Sequence, residues 1–168
     1  MNDTKAKQVA YLGVLIALAF ILSYVESLIP LSLGIPGVKL GLANLVVMVA
    51  LYTIGIKRAA LLSVVRVILV GITFGSLSSM MYSLAGGLLS LGVMILFYKK
   101  EVFSVRGVSI LGGVGHNLGQ ILMAMLVVQN GMLFSYFPVL LVSGTLAGMA
   151  IGLLAAMIIK RVEKVYRI

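Results

Sequence analysis

The 168-residue chain has no cysteine, no tryptophan, one histidine, three prolines and only four acidic residues. Without cysteine it can build neither a disulfide framework nor a thiolate metal site. One histidine and a single aspartate, Asp3, leave nothing from which to assemble a zinc site or an aspartate-rich magnesium site. There is no Gly-x4-Gly-Lys-Ser/Thr loop, so the chain is not expected to hydrolyse nucleotides. Nor is there an evident Ser-His-acid set. No metal, no cofactor and no catalytic residue is expected, and the chain reads as a non-enzyme. Charge is also scarce, at 10% of residues. Soluble domains carry roughly 25%. A disordered chain is excluded because disorder needs low hydrophobicity, and here 62% of residues are hydrophobic.

A length suited to one domain and six long apolar runs remain, which is the pattern of a polytopic membrane protein. The runs lie at about 8–29, 40–56, 59–75, 77–98, 108–129 and 134–159. They are apolar all round and do not alternate, so an all-α bundle of six transmembrane helices is expected and a β-barrel is not. The first run has no small-x-small cleavage site before a polar region, and reads as a retained helix. The whole chain, 1–168, is read as a single integral membrane domain.

The net charge is +9. The basic residues form short clusters between apolar runs, with no basic face or interleaved aromatics, so nucleic-acid binding is not expected. Lys5, Lys7, Lys57, Arg58, Lys99, Lys100, Arg106, Lys160, Arg161, Lys164 and Arg167 fall on one side of a six-helix arrangement, and only Lys39 falls on the other. The positive-inside rule then puts both termini in the cytoplasm of a multi-pass cell-membrane protein. On the outer side, residues 30–39 hold Pro30 and Pro36 and two glycines, and read as an ordered loop folding back over the bundle.

Several polar groups interrupt the apolar runs. Arg66 lies eight residues beyond Arg58, about 12 Å along a helix axis, and so near mid-membrane. Intramembrane charges default to a functional role, though a strut tied to carbonyls or to Glu26 is the alternative. Glu26, in the last turn of the first run, can pair with Arg66 or Lys39, hold a ligand, or simply sit at the interface. Asn44 opens the second run. His116 and Gln120 are four residues apart on one helix face, and Asn117 flanks the same groove. Interhelical hydrogen bonding is the plain alternative for this trio. Tyr24 and Tyr82 are further candidates for the lining, or anchors in the interfacial belt. Small-residue stripes occur at Gly144, Gly148 and Gly152, at Gly115 and Gly119, and at Ala6, Ala10, Gly13 and Ala17, each suited to close helix contact within the bundle or with a partner.

The stretches Glu26-x-x-Ile29-Pro30, Pro36-Gly-Val-Lys-Leu-Gly-Leu-Ala-Asn44, Arg66, Ser83-Leu-Ala-Gly-Gly87 and Gly115-His-Asn-Leu-Gly-Gln120 occur in that order. Together they resemble the Gx transporter family, often labelled heptaprenyl diphosphate synthase component I, over nearly the whole chain. That family is similar to the substrate-binding S components of energy-coupling factor (ECF) transporters. The resemblance implies six helices with both termini inside and a small-molecule cavity near the outer surface. It also implies docking through small residues of the first helix, here Ala6, Ala10, Gly13 and Ala17, onto a transmembrane coupling subunit driven by ATPases. Some relatives are linked to flavin- or quinone-related pathways. Glu26, Lys39, Asn44, Arg66, His116, Asn117 and Gln120 are the expected substrate-binding residues, with loop 30–39 as a lid. A non-catalytic accessory component of prenyl diphosphate synthesis and a purely structural membrane protein are the competing readings.

Overall fold

The computed structural model describes residues 3–28 and 41–166. Among them every element is helical: α1 (Asp3–Leu28), α2 (Leu42–Thr53), α3 (Ile56–Thr73), α4 (Leu77–Lys100), α5 (Val105–Val128), a 3-10 segment (Gly131–Tyr136) and α6 (Phe137–Tyr166). Four of the helical stretches, Ala6–Leu28, Leu77–Lys100, Val105–Val128 and Gly131–Val162, are long and apolar enough to cross a membrane. The loop expected at 30–39, with Pro30, Pro36 and Lys39, lies outside the described residues.

The second helix is shorter than the hydropathy run suggests. Gly41 at φ +77° precedes it and Gly55 at φ +88° follows it, so two left-handed backbone positions set the limits of an otherwise continuous apolar stretch. Its 12 residues rise about 18 Å, well short of a 30 Å hydrocarbon core. The helix is correspondingly sheltered, since Ala43 and every residue from Val46 to Leu51 are buried. Helix α3 carries Lys57, Arg58 and Arg66, a density of cations that sets it apart from the four long apolar spans.

Helices α2, α3, α4, α5 and α6 form a ring in which each touches the next and α6 closes back on α2, while α1 lies across α2 and α3. The core sits around α2, where Val47, Met48 and Leu51 meet Leu15 and Ala19 of α1, Leu62 of α3, Leu91 of α4 and Val108 of α5. The outward faces are apolar: Val9, Ile72, Leu77, Leu126 and Met132 are each at least 70% exposed. Apolar cover on this scale suits contact with lipid rather than water.

Glycines set the closest helix contacts. A Cβ on Gly148 would lie 2.7 Å from the Ile110 Cα, one on Gly152 2.9 Å from the Arg106 Cα, and one on Gly119 2.6 Å from the Ala85 carbonyl oxygen. The 144–148–152 stripe therefore packs α6 on α5, and Gly119 packs α5 on α4, within the bundle. The stripe on α1 differs. Ala6, Ala10, Gly13 and Ala17 are all exposed, and nothing lies within 4 Å of a Cβ built on Gly13.

The helix ends at the two poles of the bundle differ in charge. Lys7, Lys57, Lys99, Lys100, Arg106, Lys160, Arg161 and Lys164 are exposed at one pole. Arg58 at that pole donates from Nη1 to the Ile54 carbonyl at 3.1 Å and from Nη2 to Gln8 Oε1 at 2.5 Å, tying α1 to the α2–α3 turn. At the other pole α1 and α3 end and α2 and α4 begin.

Candidate functional site

The pole opposite the basic one is hollow. A cavity of about 430 Å³ opens between the ends of α1 and α3, the starts of α2 and α4, and the middle of α5. Its polar lining includes Glu26, Asn44, Arg66 and His116. Four of the seven residues expected to bind a ligand are thus brought together from four different helices. Lys39 lies outside the described residues.

Arg66 is the centre of the arrangement. It is only 8% exposed. Its Nη2 donates to Asn44 Oδ1 at 2.9 Å. Asn44 stands there because α2 starts at Gly41, whose left-handed turn lets the Asn44 N–H reach the Gly41 carbonyl at 2.8 Å. The Arg66 Nε is buried and has no hydrogen-bond partner among the described residues. A buried guanidinium donor left without an acceptor costs more than about 1–3 kcal/mol, because charged groups exceed the neutral penalty. Arg66 thus brings a positive charge to the lining of a cavity that has room for an acceptor oxygen.

Glu26 faces the same space and stands within Coulombic range of Arg66. Its Oε1 accepts the Gly41 N–H at 2.5 Å, so the carboxylate satisfies a donor at the start of α2. His116 reaches the cavity from mid-α5, close to the Gly86 contact with α4.

Asn117 and Gln120 go elsewhere. Asn117 turns toward α6, where its Nδ2 donates to the Leu140 carbonyl at 2.7 Å and to Ser143 Oγ at 3.2 Å. It borders a second, much smaller cavity of about 30 Å³, shared with Ser90, Ser109 and His116. That is space for about one water. Gln120 is buried against Gly86, where a Cβ would come within 2.7 Å of its Cγ. Neither lines the large cavity. Tyr24 supports the wall indirectly, with its ring 5.4 Å from Phe74, which does line it. Tyr82 lines neither cavity.

Sequence reasoning did not single out the serines. Ser23 and Ser27 of α1 and Ser76, Ser79 and Ser83 at the start of α4 all line the cavity. Four of them also serve the helices, Ser27 by donating from its hydroxyl to the Tyr24 carbonyl at 2.6 Å. The Ser23 hydroxyl donates to the Ala19 carbonyl at 2.8 Å, and Ser76 and Ser79 cap α4 reciprocally at 2.9 and 3.1 Å. Their spacing carried the signal: 23 and 27, then 76, 79 and 83, are helix-face intervals.

Among the described residues no group of three or more His, Cys, Asp or Glu side chains is placed to hold a metal ion. The described lining offers one guanidinium, one carboxylate, one imidazole, one amide and several hydroxyls around an accessible hollow.

No curated protein and no solved structure matches the chain. The family model described as heptaprenyl diphosphate synthase component I does, over residues 15–158, which takes in the described cavity lining, α2 to α5, the second half of α1 and most of α6. The chain belongs to the heptaprenyl diphosphate synthase component I family.

Proposed function

We propose that the chain is a multi-pass membrane subunit that binds a small organic molecule in this cavity, as the S component of an ECF-type transporter does. The observation that carries the reading is Arg66, a buried cation lining a 430 Å³ hollow, whose Nε has no hydrogen-bond partner among the described residues. A guest oxygen completes its coordination. Basic helix ends gather at the opposite pole, so the positive-inside rule puts both termini in the cytoplasm and opens the cavity outward. Asn44 fixes the guanidinium, and His116 and the serines meet the guest's polar edges. Energy comes from separate ATPases through a coupling subunit, for which the exposed Ala6, Ala10, Gly13 and Ala17 face is the docking surface. Flavin- and quinone- or isoprenoid-related compounds are the candidate guests that the family resemblance suggests.

The test compares wild type with Arg66→Ala by native mass spectrometry after gentle purification. The wild type should release a small molecule of constant mass, and Arg66→Ala should insert normally but arrive empty. Equal occupancy in both would refute the role of Arg66.

The family description favours a second reading, a non-catalytic component of heptaprenyl diphosphate synthase. It requires this chain for product formation in a reconstituted synthase assay. Unchanged product without the chain would remove it.

A further inference from the structure

The small cavity lies deeper in the bundle than the large one. Every residue lining it except Gly41 belongs to the interior of α2, α4, α5 or α6. Part of its wall is apolar, from Met48, Met94, Ala147 and Ile151. The rest carries polar side chains, of which Ser90 and Ser109 are the most buried, at 2% and 5% exposure.

A hydroxyl inside a helix ordinarily satisfies itself on the preceding turn. Ser23, Thr53, Thr73 and Thr145 do so, each donating to the carbonyl four residues back. The Ser90 and Ser109 hydroxyls bond to no described residue, on their own helix or another. A hydroxyl taken out of water and left without a partner is costly, so buried ones are paired with protein or with an ordered water. Both of these line one hollow of about 30 Å³, which is room for about one water.

Glycine makes that room. A Cβ on Gly112 would stand 3.3 Å from the Ser90 Oγ and 2.7 Å from the Met94 Cγ, so its absence opens the space beside the hydroxyl. Ser109 lies three residues before Gly112, on the same face of α5. Asn117, on the same wall, makes both of its described hydrogen bonds through Nδ2, which leaves Oδ1 as a further acceptor. An enclosed water needs two to four polar partners, and two hydroxyls with one amide oxygen meet that count. No carboxylate lines the hollow among the described residues, so a cation there would be buried without a countercharge.

We infer that the small cavity is an internal hydration site, in which one water held by the Ser90 and Ser109 hydroxyls bridges α4 and α5.

The test is X-ray hydroxyl-radical footprinting of the full-length protein in detergent, read by mass spectrometry, with a radical scavenger in the bulk solution. Met48 and Met94, 1% and 4% exposed, line the hollow and serve as reporters, while Met132, 81% exposed, reports the bulk. A water inside the hollow generates its radical beside the two buried sulfurs, beyond reach of the scavenger. Oxidation of Met48 or Met94 should therefore persist when the scavenger suppresses that of Met132. Ser90→Val removes a hydroxyl and fills the space, and Ser109→Ala removes the other hydroxyl, so each should lower the buried signal several-fold. The second variant decides if the first does not fold. Ser63→Ala is the control, because Ser63 is as buried but lines neither cavity, and should leave the signal unchanged.

A wild type in which Met48 and Met94 stay unoxidised, or lose their oxidation to the scavenger together with Met132, overturns the inference. So does a buried signal that both serine variants leave intact, or one that Ser63→Ala lowers equally. None of these outcomes bears on the large cavity, which is tested separately through Arg66→Ala.

Discussion

Gly148→Ala and Gly13→Ala add the same methyl group to two apolar helices, and the structure assigns them opposite consequences. A Cβ on Gly148 would stand 2.7 Å from the Ile110 Cα and 2.8 Å from the Ser109 carbonyl oxygen. Both obstacles are backbone, so no side chain can swing aside and α6 must move away from α5. Overpacking of this kind costs about 1–3 kcal/mol, against a helix-propensity gain of about 1 kcal/mol from replacing glycine. A Cβ on Gly13 meets nothing within 4 Å. That variant keeps the propensity gain without a steric penalty. Thermal unfolding of the two proteins in one detergent should place Gly148→Ala several degrees below Gly13→Ala, since 1 kcal/mol moves Tm by about 2–4 °C at this size. Gly148→Leu should widen the gap. Equal Tm values for the two alanine variants would refute the assignment of the 144–148–152 stripe to the α5–α6 contact.

Three further outcomes follow from the site. Arg66→Met fills the guanidinium's volume without its charge, so it should retain or raise the guest-free Tm. Guest affinity should fall about tenfold to a hundredfold, the worth of a charged hydrogen bond, by titration calorimetry; a large loss of guest-free stability would mark Arg66 as a strut instead. Gly86→Ala would bring a Cβ to 2.8 Å from the His116 carbonyl oxygen, push α5 from α4 and shift His116 at the cavity wall. Guest binding should weaken more than Tm falls, and a Kd equal to wild type would count against a role for His116. Ala10→Leu alters only the exposed face of α1, so it should leave Tm and guest binding unchanged and reduce co-purification of a coupling subunit; undiminished co-purification would move the docking surface elsewhere.

Much of this arrangement was legible in the sequence because it rests on transfer free energies. The long helices α1, α4, α5 and α6 follow long apolar runs, and Arg66 and Glu26 stand out because ionised groups are expensive among such neighbours. Asn44 and His116 are legible for the same reason. The short α2 was not, because its limits come from the backbone of Gly41 and Gly55, and hydropathy reads side chains. The fates of Asn117 and Gln120 were not legible either. Neighbouring positions on α5 differ by about 100° in direction, and which one meets α6, α4 or the hollow depends on how the glycine contacts rotate the helix. The serines escaped notice because a helical serine satisfies itself on its own backbone, as Ser23 does at Ala19, and so carries no apparent energetic demand.

The proposed function requires that Arg66 persist in the apolar bundle because a bound molecule completes its hydrogen bonding. An experimental density map of the gently purified wild-type protein tests it most directly. Non-protein density is expected in the 430 Å³ cavity, with an oxygen within hydrogen-bond distance of the Arg66 guanidinium. A collapsed cavity, with Nε bonded to an oxygen of the chain itself, would contradict it.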